Sequence, residues 1–332
     1  MGDNLEAPAG RCVFSEILNR QTLEFDEIGP PGGAGLNRVS GWRAVVRVLR
    51  SPVDDVVTTL FPADCRCCEG PLERASLVPV CDECLGRLSE IAGRSKLPGC
   101  GQCGEAIDLE MDMEDMRFAG QMAAMLRCRE CRMAPPEFDR AVSFGTYEGE
   151  LRALIGLLKF DGVPGVAGVL GDRLAEAILE LEALAARELV VVAVPLFRAR
   201  ERQRGYNQSV MLAERALARL RKLRPEWKLK AEHGLLARRR STEAQYVLSR
   251  RGRRRNLRGA FAVCGEVSGR EVLVVDDIMT SGATARECAR VLKAAGAAKV
   301  WVATLARAQK MVRVHEDLLH EDPGESVAMW SA

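Results

Sequence analysis

Residues 271–284 read EVLVVDDIMTSGAT and set the class of fold. Four apolar residues, 272–275, come first and are typical of a strand buried on both faces of a parallel sheet. Two adjacent carboxylates, Asp276 and Asp277, follow, and then a small hydroxyl-rich turn around Gly282. Residues 285–296 have the apolar spacing of an amphipathic helix that ends at a glycine. Because helix N-termini beyond the carboxyl ends of parallel strands bind phosphate, the stretch predicts a phosphate site.

The same residues resemble the 5-phosphoribosyl-1-pyrophosphate (PRPP) motif of type I phosphoribosyltransferases. In that family two acids hold the ribose hydroxyls, and the loop after them holds the 5-phosphate. The resemblance assigns the ribose and the catalytic role to Asp276 and Asp277, and it implies that Mg²⁺ binds with PRPP. It assigns the phosphate to Thr280, Ser281, Gly282, Ala283 and Thr284. The alternative is an ordinary buried strand followed by a polar turn, although adjacent acids at a strand end are costly without partners.

The composition is that of a soluble globular protein large enough for two domains. The 332 residues are 47% hydrophobic and 28% charged, and the formal net charge is +2. The first residues lack the basic and apolar regions of a signal peptide, and no apolar run approaches the roughly 18 residues of a membrane span. We therefore expect a cytoplasmic protein without a membrane span. In that reducing compartment the 12 cysteines indicate metal ligands rather than disulfides.

Eight of the cysteines form four Cys-x-x-Cys pairs between residues 65 and 131. A Cys-x-x-Cys turn lets two sulfurs reach one ion, and two such pairs complete a tetrahedral zinc site. Gly70 and Gly104 follow two of the pairs, where a zinc knuckle needs a tight turn. Sequential pairing predicts two structural Zn²⁺ sites, formed by Cys65, Cys68, Cys81 and Cys84 and by Cys100, Cys103, Cys128 and Cys131.

Other interpretations of these cysteines stay open. A Cys-x-x-Cys pair can be a redox disulfide, and an iron–sulfur cluster uses the same ligands. The pairs could also be interleaved between the two sites. Cys67 is an extra thiol that could replace Cys65 or Cys68 as a ligand.

Strands and helices alternate after the cysteines. Residues 189–195 form a continuous apolar run, which again indicates a strand buried on both faces. Alternation predicts an α/β fold with a mostly parallel sheet flanked by helices and preceded by small cysteine-rich ribbons. The predicted strands are 138–147, 189–195 and 299–307, and the predicted helices are 148–160, 170–187 and 209–220.

An arginine-rich segment follows the strand at 189–195. Residues 198–208 contain four arginines, a glycine and an Asn-Gln pair. Guanidinium groups bind phosphate through two parallel hydrogen bonds, so this segment predicts a site for pyrophosphate or another anion. The residues assigned to it are Arg202, Arg204, Asn207 and Gln208.

This segment is similar to the RxRGxNQ signature of the ComF family, the competence-protein branch of the phosphoribosyltransferases. Further similarities follow in the same order along the chain, among them LKF at 158–160 and RNL at 255–257. The resemblance implies PRPP as ligand, an acceptor for its ribose 5-phosphate, and a role in natural transformation. It also implies that the protein handles single-stranded DNA beside a competence helicase. An N-terminal extension, an acidic insertion at 108–116 and the C-terminal tail depart from the family pattern.

Two arginine runs, at 238–240 and 250–255, flank Gln245 and Tyr246. In related transferases this region closes over PRPP, which would exclude water from the reacting centre. The same arginines could instead grip a nucleic-acid backbone, with an aromatic ring as a stacking surface. A solvated basic helix is the third interpretation.

Four regions are expected from these patterns. They are a disordered or helical extension at 1–54, a double zinc ribbon at 55–134, a phosphoribosyltransferase-type domain at 135–308 and a polar tail at 309–332. Two functions fit the sequence. One is an enzyme that transfers ribose 5-phosphate. The other is a non-catalytic DNA-binding protein of DNA uptake whose PRPP pocket is a sensor or a relic.

Overall fold

A parallel sheet forms the centre of the structure, which is a computed structural model describing residues 63–72, 78–94, 99–107, 126–240 and 250–308. The strands of the described residues are β1 Arg140–Thr146, β2 Glu188–Ala193, β3 Lys228–Ala231, β4 Leu236–Arg238, β5 Phe261–Val263, β6 Glu271–Met279 and β7 Lys299–Arg307. The sheet has the order β1-β7-β6-β2-β3, and β4 and β5 form a separate antiparallel pair. Because all neighbouring strands of the sheet run parallel, the predicted α/β class is confirmed.

The apolar runs of β2 and β6 bury both of their faces, as a parallel sheet requires. Odd-numbered residues such as Val191 and Leu273 belong to one apolar cluster, and even-numbered residues such as Val192 and Val274 belong to a second one. Side chains alternate between the faces of a strand, so the two clusters lie on opposite faces of the sheet. The carboxyl ends of β2 and β6 are therefore fixed side by side, with Val194 N bonded to Val275 O at 2.9 Å.

Helices cover both faces of the sheet. In chain order they are α1 Asp82–Arg94, α2 Arg129–Met133, α3 Gly149–Lys159, α4 Ala167–Leu179, α5 Arg198–Arg204, α6 Gln208–Leu223, α7 Arg250–Leu257 and α8 Ala283–Ala294. Helices α3, α4 and α6 contribute to the odd-residue cluster, and α8 contributes to the even-residue cluster. The predicted phosphate loop thus leads from β6 directly into α8.

Several elements differ from the sequence prediction. The helix expected at 170–187 begins earlier, at Ala167, and ends at Leu179. It ends there because the hydrogen bonds change to the i→i+3 pattern of a tighter turn, with Leu181 N donating to Ile178 O and Glu182 N to Leu179 O. Six further elements of the described residues, α1, α2, α5, β3, β4 and β5, are not among the sequence predictions. All of them except α1 have seven residues or fewer, so periodicity carries little information about them.

The two cysteine modules lie against opposite sides of β1, an edge strand of the sheet. Cys65 and Cys84 pack into the odd-residue cluster, while Cys100 and Cys131 pack into the even-residue cluster. Ala141 N of β1 donates to Gln102 O at 2.7 Å. The second module therefore satisfies part of the free edge of the sheet, which would otherwise expose unpaired backbone groups.

Some predictions concern residues outside the described part of the chain. These are the extension, the acidic insertion, the tail, and Gln245 and Tyr246. Within the described part, no helix combines the length and apolar character needed to cross a bilayer.

Gly171 tests how closely α4 approaches α6. A Cβ at this position would lie 2.3 Å from Arg215 Cβ and 3.2 Å from Ala216 N. We expect Gly171→Ala to lower the free energy of unfolding by about 1–3 kcal/mol, because the two helices must separate. Gly156→Ala is the control, since nothing lies within 4 Å of its added Cβ, and it should stabilise the chain by about 0.5–1 kcal/mol. Urea denaturation measures both, and an equal response would contradict the packing.

Candidate functional site

A cavity of about 740 Å³ opens at the carboxyl ends of β2 and β6. Ligands of open α/β sheets bind in this place, because the loops after the strands gather there. The cavity is lined by the ends of β6 and α3, the first residues of α8, and side chains of α5, α6 and β4. It contains both carboxylates predicted from the sequence, Asp276 and Asp277, and most of the phosphate loop.

Asp277 is held from two sides. Its Oδ1 lies 2.9 Å from Lys159 Nζ, and its Oδ2 accepts a hydrogen bond from Gln208 Nε2 at 2.8 Å. The residue is 4% exposed, so an unpaired charge here would be strongly destabilising. Lys159 supplies the compensating charge from the last residue of α3. Lys159 and Gln208 therefore fix the carboxylate in position before any ligand binds.

Asp276 has weaker compensation. Its Oδ1 accepts hydrogen bonds from Ser209 Oγ and from the backbone N–H of Asp277, both at 3.0 Å. Burial and the adjacent charge of Asp277 raise the pKa of Asp276 to about 7. A cation or a hydroxyl donor in the cavity would favour the ionised form.

The loop after β6 is built to approach an anion closely. Gly282 has a φ of 69°, in the left-handed region, and an added Cβ would lie 2.9 Å from Met279 Cε. Helix α8 begins at the next residue, so its first backbone N–H groups and the positive end of its dipole meet the loop. The hydroxyl oxygen of Ser281 is buried and has no hydrogen-bond partner. An unsatisfied buried hydroxyl costs about 1–3 kcal/mol. Ser281 itself is not among the lining residues, although its neighbours Thr280 and Gly282 are.

Cationic side chains also line the cavity. They are Lys159, Arg200, Arg204 and Arg238. Burial lowers the pKa values of Arg204 and Arg238, which means that the protein pays part of their desolvation cost in advance. Both stay protonated near neutral pH because the ordinary pKa of arginine is so high. A polyanion is the ligand that would best offset this cost.

The sequence-predicted anion residues occupy different positions. Arg204 lines the cavity and donates from Nη1 to Gln208 Oε1 at 2.5 Å. Arg202 is exposed on α5 and is not part of the lining. Asn207 is buried and caps α6, with its Oδ1 accepting from Ser209 N at 2.9 Å and its Nδ2 donating to Val194 O at 3.1 Å. The roles of these residues toward a ligand stay predictions.

Sequence reasoning missed three polar residues of the site. Lys159 and Ser209 contact the two aspartates, and Arg238 lines the cavity. Lys159 lies in the LKF similarity and Arg238 in the first arginine run, but neither motif states what its side chain contacts. The contacts join α3 and α6 to β6, which lie far apart along the chain, so periodicity could not reveal them.

The cysteines form two groups of four, each with its sulfur atoms within 4.8 Å of one another. This is the sequential pairing, with Cys68 rather than Cys67 in the first group. Tetrahedral Zn²⁺ with Zn–S bonds near 2.3 Å places sulfurs about 3.8 Å apart. The structure has Cys65–Cys84 at 3.9 Å, Cys68–Cys81 at 3.7 Å and Cys103–Cys128 at 3.7 Å. Both groups therefore fit a structural zinc ion.

Local hydrogen bonds favour a thiolate at Cys65. Burial alone would raise the pKa of Cys65, but backbone N–H groups, led by that of Cys81, lower it to about 6. Burial raises the pKa of Cys67 to about 11, so this thiol stays protonated. The tight-turn position after the pair Cys100–Cys103 is Gly104, with φ 70°. After the pair Cys65–Cys68 it is Glu69, with φ 61°, rather than the predicted Gly70. Glu69 occupies the same position relative to Cys68 as Gly104 does to Cys103.

Comparisons with known proteins agree with this architecture. Residues 186–320 match the family model described as a phosphoribosyl transferase domain. The DNA utilization protein YhgH of Salmonella typhi is 33% identical over 248 residues, which are 74% of this chain and 97% of that protein. Its counterpart in Escherichia coli (strain K12) is 36% identical over 184 residues, or 55% and 78%. Competence protein F of Haemophilus influenzae is 28% identical over 216 residues, or 64% and 85%. The chain belongs to the ComF family.

The β6–α8 junction lies inside the residues that match the phosphoribosyl transferase domain. That region begins just before β2, so α3 and both cysteine groups lie outside it. The family model therefore gives no role to Lys159 or to the cysteines. Asp276 and Asp277 stay predictions as catalytic residues.

The raised pKa of Asp276 predicts an unusual pH dependence of stability. Between about pH 4 and pH 7 the folded chain binds a proton that the unfolded chain releases, so this carboxyl group lowers stability as pH rises. Asp276→Asn removes the effect and should stabilise the protein at pH 8 by about 1–2 kcal/mol, since cavity water screens part of the cost. The gain should shrink toward pH 5 in urea titrations. Asp277→Asn is the control variant, because it leaves Lys159 unpaired and should destabilise the chain. A gain in stability for Asp276→Asn that does not depend on pH would contradict the raised pKa of Asp276.

Proposed function

We propose that the cavity binds PRPP together with Mg²⁺ and that the protein is a phosphoribosyltransferase. One observation carries the proposal. A carboxylate pair, a loop suited to phosphate and a set of desolvated arginines all open into the same cavity. Each feature separately suits many ligands. Together they match the ribose, the 5-phosphate and the pyrophosphate of PRPP.

In this proposal the 5-phosphate binds in the loop of residues 280–284. The N–H groups at the start of α8 and the unpaired hydroxyl of Ser281 donate to its oxygens. The ribose hydroxyls then face Asp276 and Asp277. The pyrophosphate extends toward Arg204 and Arg238, while Asn207 holds the start of α6 in place. Arg202 is included from the sequence motif, and it could reach a pyrophosphate only by a change of side-chain conformation.

Transfer of the ribosyl group breaks the bond between C1 and the pyrophosphate oxygen, and the bonding electrons leave with pyrophosphate. The acceptor forms the new bond to C1 with its own electron pair and releases its proton to water or a base. Positive charge then develops at C1 beside the aspartates, which favours the transition state electrostatically. Asp276 and Asp277 are the carboxylates that would hold Mg²⁺, and the ion would supply positive charge that stabilises the leaving pyrophosphate. Lys159 and Gln208 keep Asp277 oriented throughout, so little reorganisation is needed.

Ser281→Ala tests phosphate binding directly. The hydroxyl has no partner in the ligand-free chain, so its removal should leave the free energy of unfolding unchanged or slightly raised. The same change should weaken PRPP binding about ten-fold, because a hydrogen bond to a charged phosphate is lost. Titration calorimetry with PRPP and Mg²⁺ measures the affinity. Ser268→Ala, at an exposed serine outside the cavity, is the control, and equal affinities for the two variants would oppose the assignment.

Variants of Arg204 and Arg202 test whether PRPP binds inside the cavity or also contacts the exposed surface of α5. We expect Arg204→Ala to weaken PRPP binding more than ten-fold, since its guanidinium lines the cavity. Arg202→Ala measures whether the exposed arginine also contributes, as the sequence motif predicts. Inorganic pyrophosphate serves as a second probe, because both variants should then change affinity by the same factors as with PRPP. Undiminished pyrophosphate binding by Arg204→Ala would contradict the proposed orientation.

A second function is supported by the outer rim of the cavity. Phe160 is 76% exposed and lies beside Arg204, whose guanidinium carbon is 6.0 Å from the centre of the ring. The exposed residues of α5 include Arg198, Arg200 and Arg202. Exposed rings and arginines together suit single-stranded nucleic acid. The relatives are named for DNA utilization and competence, so we propose a role in DNA uptake, beside a helicase partner, with the PRPP pocket acting as substrate site or sensor.

Single-stranded DNA binding can be tested by its salt dependence. The logarithm of the affinity should fall linearly with the logarithm of salt concentration, with a slope of about 0.7 per phosphate contacted. Phe160→Ala should weaken binding by about 1–3 kcal/mol without changing the slope, because stacking involves no counterion release. Arg202→Ala should reduce the slope. Fluorescence anisotropy with a labelled oligonucleotide measures both, and a salt-independent affinity would oppose the DNA-binding function.

The remaining expectations belong to the same proposal. We propose that each cysteine group holds one structural Zn²⁺, which supplies four bonds in place of an extensive apolar core in the ribbon region. Thiolate ligands need a reducing environment, which supports a cytoplasmic location. The ribbon region is proposed at 55–134 and the transferase domain at 135–308, with an extension at 1–54 and a tail at 309–332.

A further inference from the structure

The second cysteine group, Cys100, Cys103, Cys128 and Cys131, contacts the phosphate loop's supporting elements directly. Arg286 lies in the first turn of α8, with its backbone N–H bonded to Gly282 O at 2.9 Å. Its Nη1 donates to Ala134 O at 2.7 Å, and its Nη2 lies 3.9 Å from Cys131 Sγ. The start of α8, which meets the loop, is thereby tied to the cysteine module.

A second arginine makes the same connection on the other side of the loop. Arg307, at the end of β7, is the register partner of Met279, the last residue of β6. Its Nε donates to Glu105 Oε2 at 3.0 Å, and its Nη2 lies 3.6 Å from Cys103 Sγ. Both Arg307 and Glu105 are buried. Ala308 N also bonds Met279 O at 3.0 Å, so the end of β6 is held where the loop begins.

The two arginines therefore bracket residues 280–282. At the N-terminal end of this segment, Met279 pairs with Arg307, which lies beside Cys103 Sγ. At its C-terminal end, Gly282 O accepts from the backbone N–H of Arg286, whose side chain lies beside Cys131 Sγ. The first group has a different neighbourhood. Arg87 of α1 lies 3.0 Å from Cys84 Sγ and also pairs with Glu150 at the start of α3. The first cysteine group is therefore connected to α3, whereas the second is connected to α8 and β7 on either side of the phosphate loop.

Geometry explains why the link would depend on metal. An ion that binds all four sulfurs holds Cys103 and Cys131 at fixed positions. Those two sulfurs lie beside Arg307 and Arg286, which are also held by Glu105 and by Ala134 O. Without the ion, the sulfurs and the backbone around them would no longer be fixed relative to the two guanidinium groups.

We propose that the second cysteine group, holding Zn²⁺, positions the phosphate loop through Arg286 and Arg307. In this arrangement Arg286 and Arg307 are positioning residues, and the first cysteine group stabilises the ribbon without controlling the loop. The proposal rests on the proposed function for its ligand, since it takes the loop as the phosphate site. It adds that phosphate affinity depends on one of the two zinc ions.

Arg286→Ala is the direct test, with Arg290→Ala on the same helix as control, because Arg290 pairs with Glu287 and not with a cysteine. Calorimetry with PRPP and Mg²⁺, together with zinc content by atomic emission, gives the readout. We expect Arg286→Ala to keep two zinc ions per chain and to weaken PRPP binding about ten-fold. Arg286→Lys should restore part of the affinity, and Arg290→Ala should bind like the wild type. Wild-type affinity in Arg286→Ala would overturn the proposal.

Cysteine variants compare the two groups. Cys131→Ser and Cys68→Ser should each lose one zinc ion, but only Cys131→Ser should lose PRPP affinity. Equal losses of affinity would overturn the proposal, because they would indicate a general loss of stability.

Amide hydrogen exchange separates this proposal from the proposed function. Faster exchange of residues 280–286 in Arg286→Ala, measured without ligand, supports positioning even if the wild type does not bind PRPP. In that case the PRPP assignment fails and the positioning role stands. Unchanged exchange in these residues overturns the positioning role, whatever the wild type binds.

Discussion

Two adjacent carboxylates at the end of a buried strand are the constraint on which the rest of the site depends. Like charges this close repel each other, and burial adds a desolvation cost to the repulsion. The fold meets that cost with groups from two other helices, Lys159 of α3 and Gln208 and Ser209 of α6. The compensation is incomplete at Asp276, whose pKa is raised to about 7. A ligand that supplies a cation or a hydrogen-bond donor to Asp276 would therefore offset this cost and stabilise the folded protein by binding.

The same logic applies around the loop and the arginines. Ser281 has a buried hydroxyl without a partner, and Arg204 and Arg238 are partly desolvated. Each of these groups is unfavourable in the ligand-free chain and would become favourable around a polyanion. These groups lower the stability of the ligand-free chain, as is common at functional sites.

Much of this arrangement could be predicted from the sequence because it is local. The strand, acidic pair and loop of residues 271–284 are continuous, and Cys-x-x-Cys spacing brings two sulfurs together without knowledge of the fold. The contacts that complete the site are not local. Lys159 and Asp277 are in contact although they lie 118 residues apart in the sequence, and Arg286 and Cys131 lie 155 residues apart. Such pairs depend on how helices pack on the sheet. Arg202 shows the opposite case, since it belongs to a clear sequence motif but is exposed and does not line the cavity.

The most direct test of the account is a thermal shift of the wild type with PRPP, with and without Mg²⁺, beside Asp277→Asn. Binding to the folded state raises the melting temperature by mass action. We expect a rise that requires Mg²⁺ in the wild type and is absent in Asp277→Asn, since this carboxylate is the most firmly oriented group of the pair. An absent rise in the wild type, or an equal rise in both proteins, would contradict a PRPP site built on these aspartates.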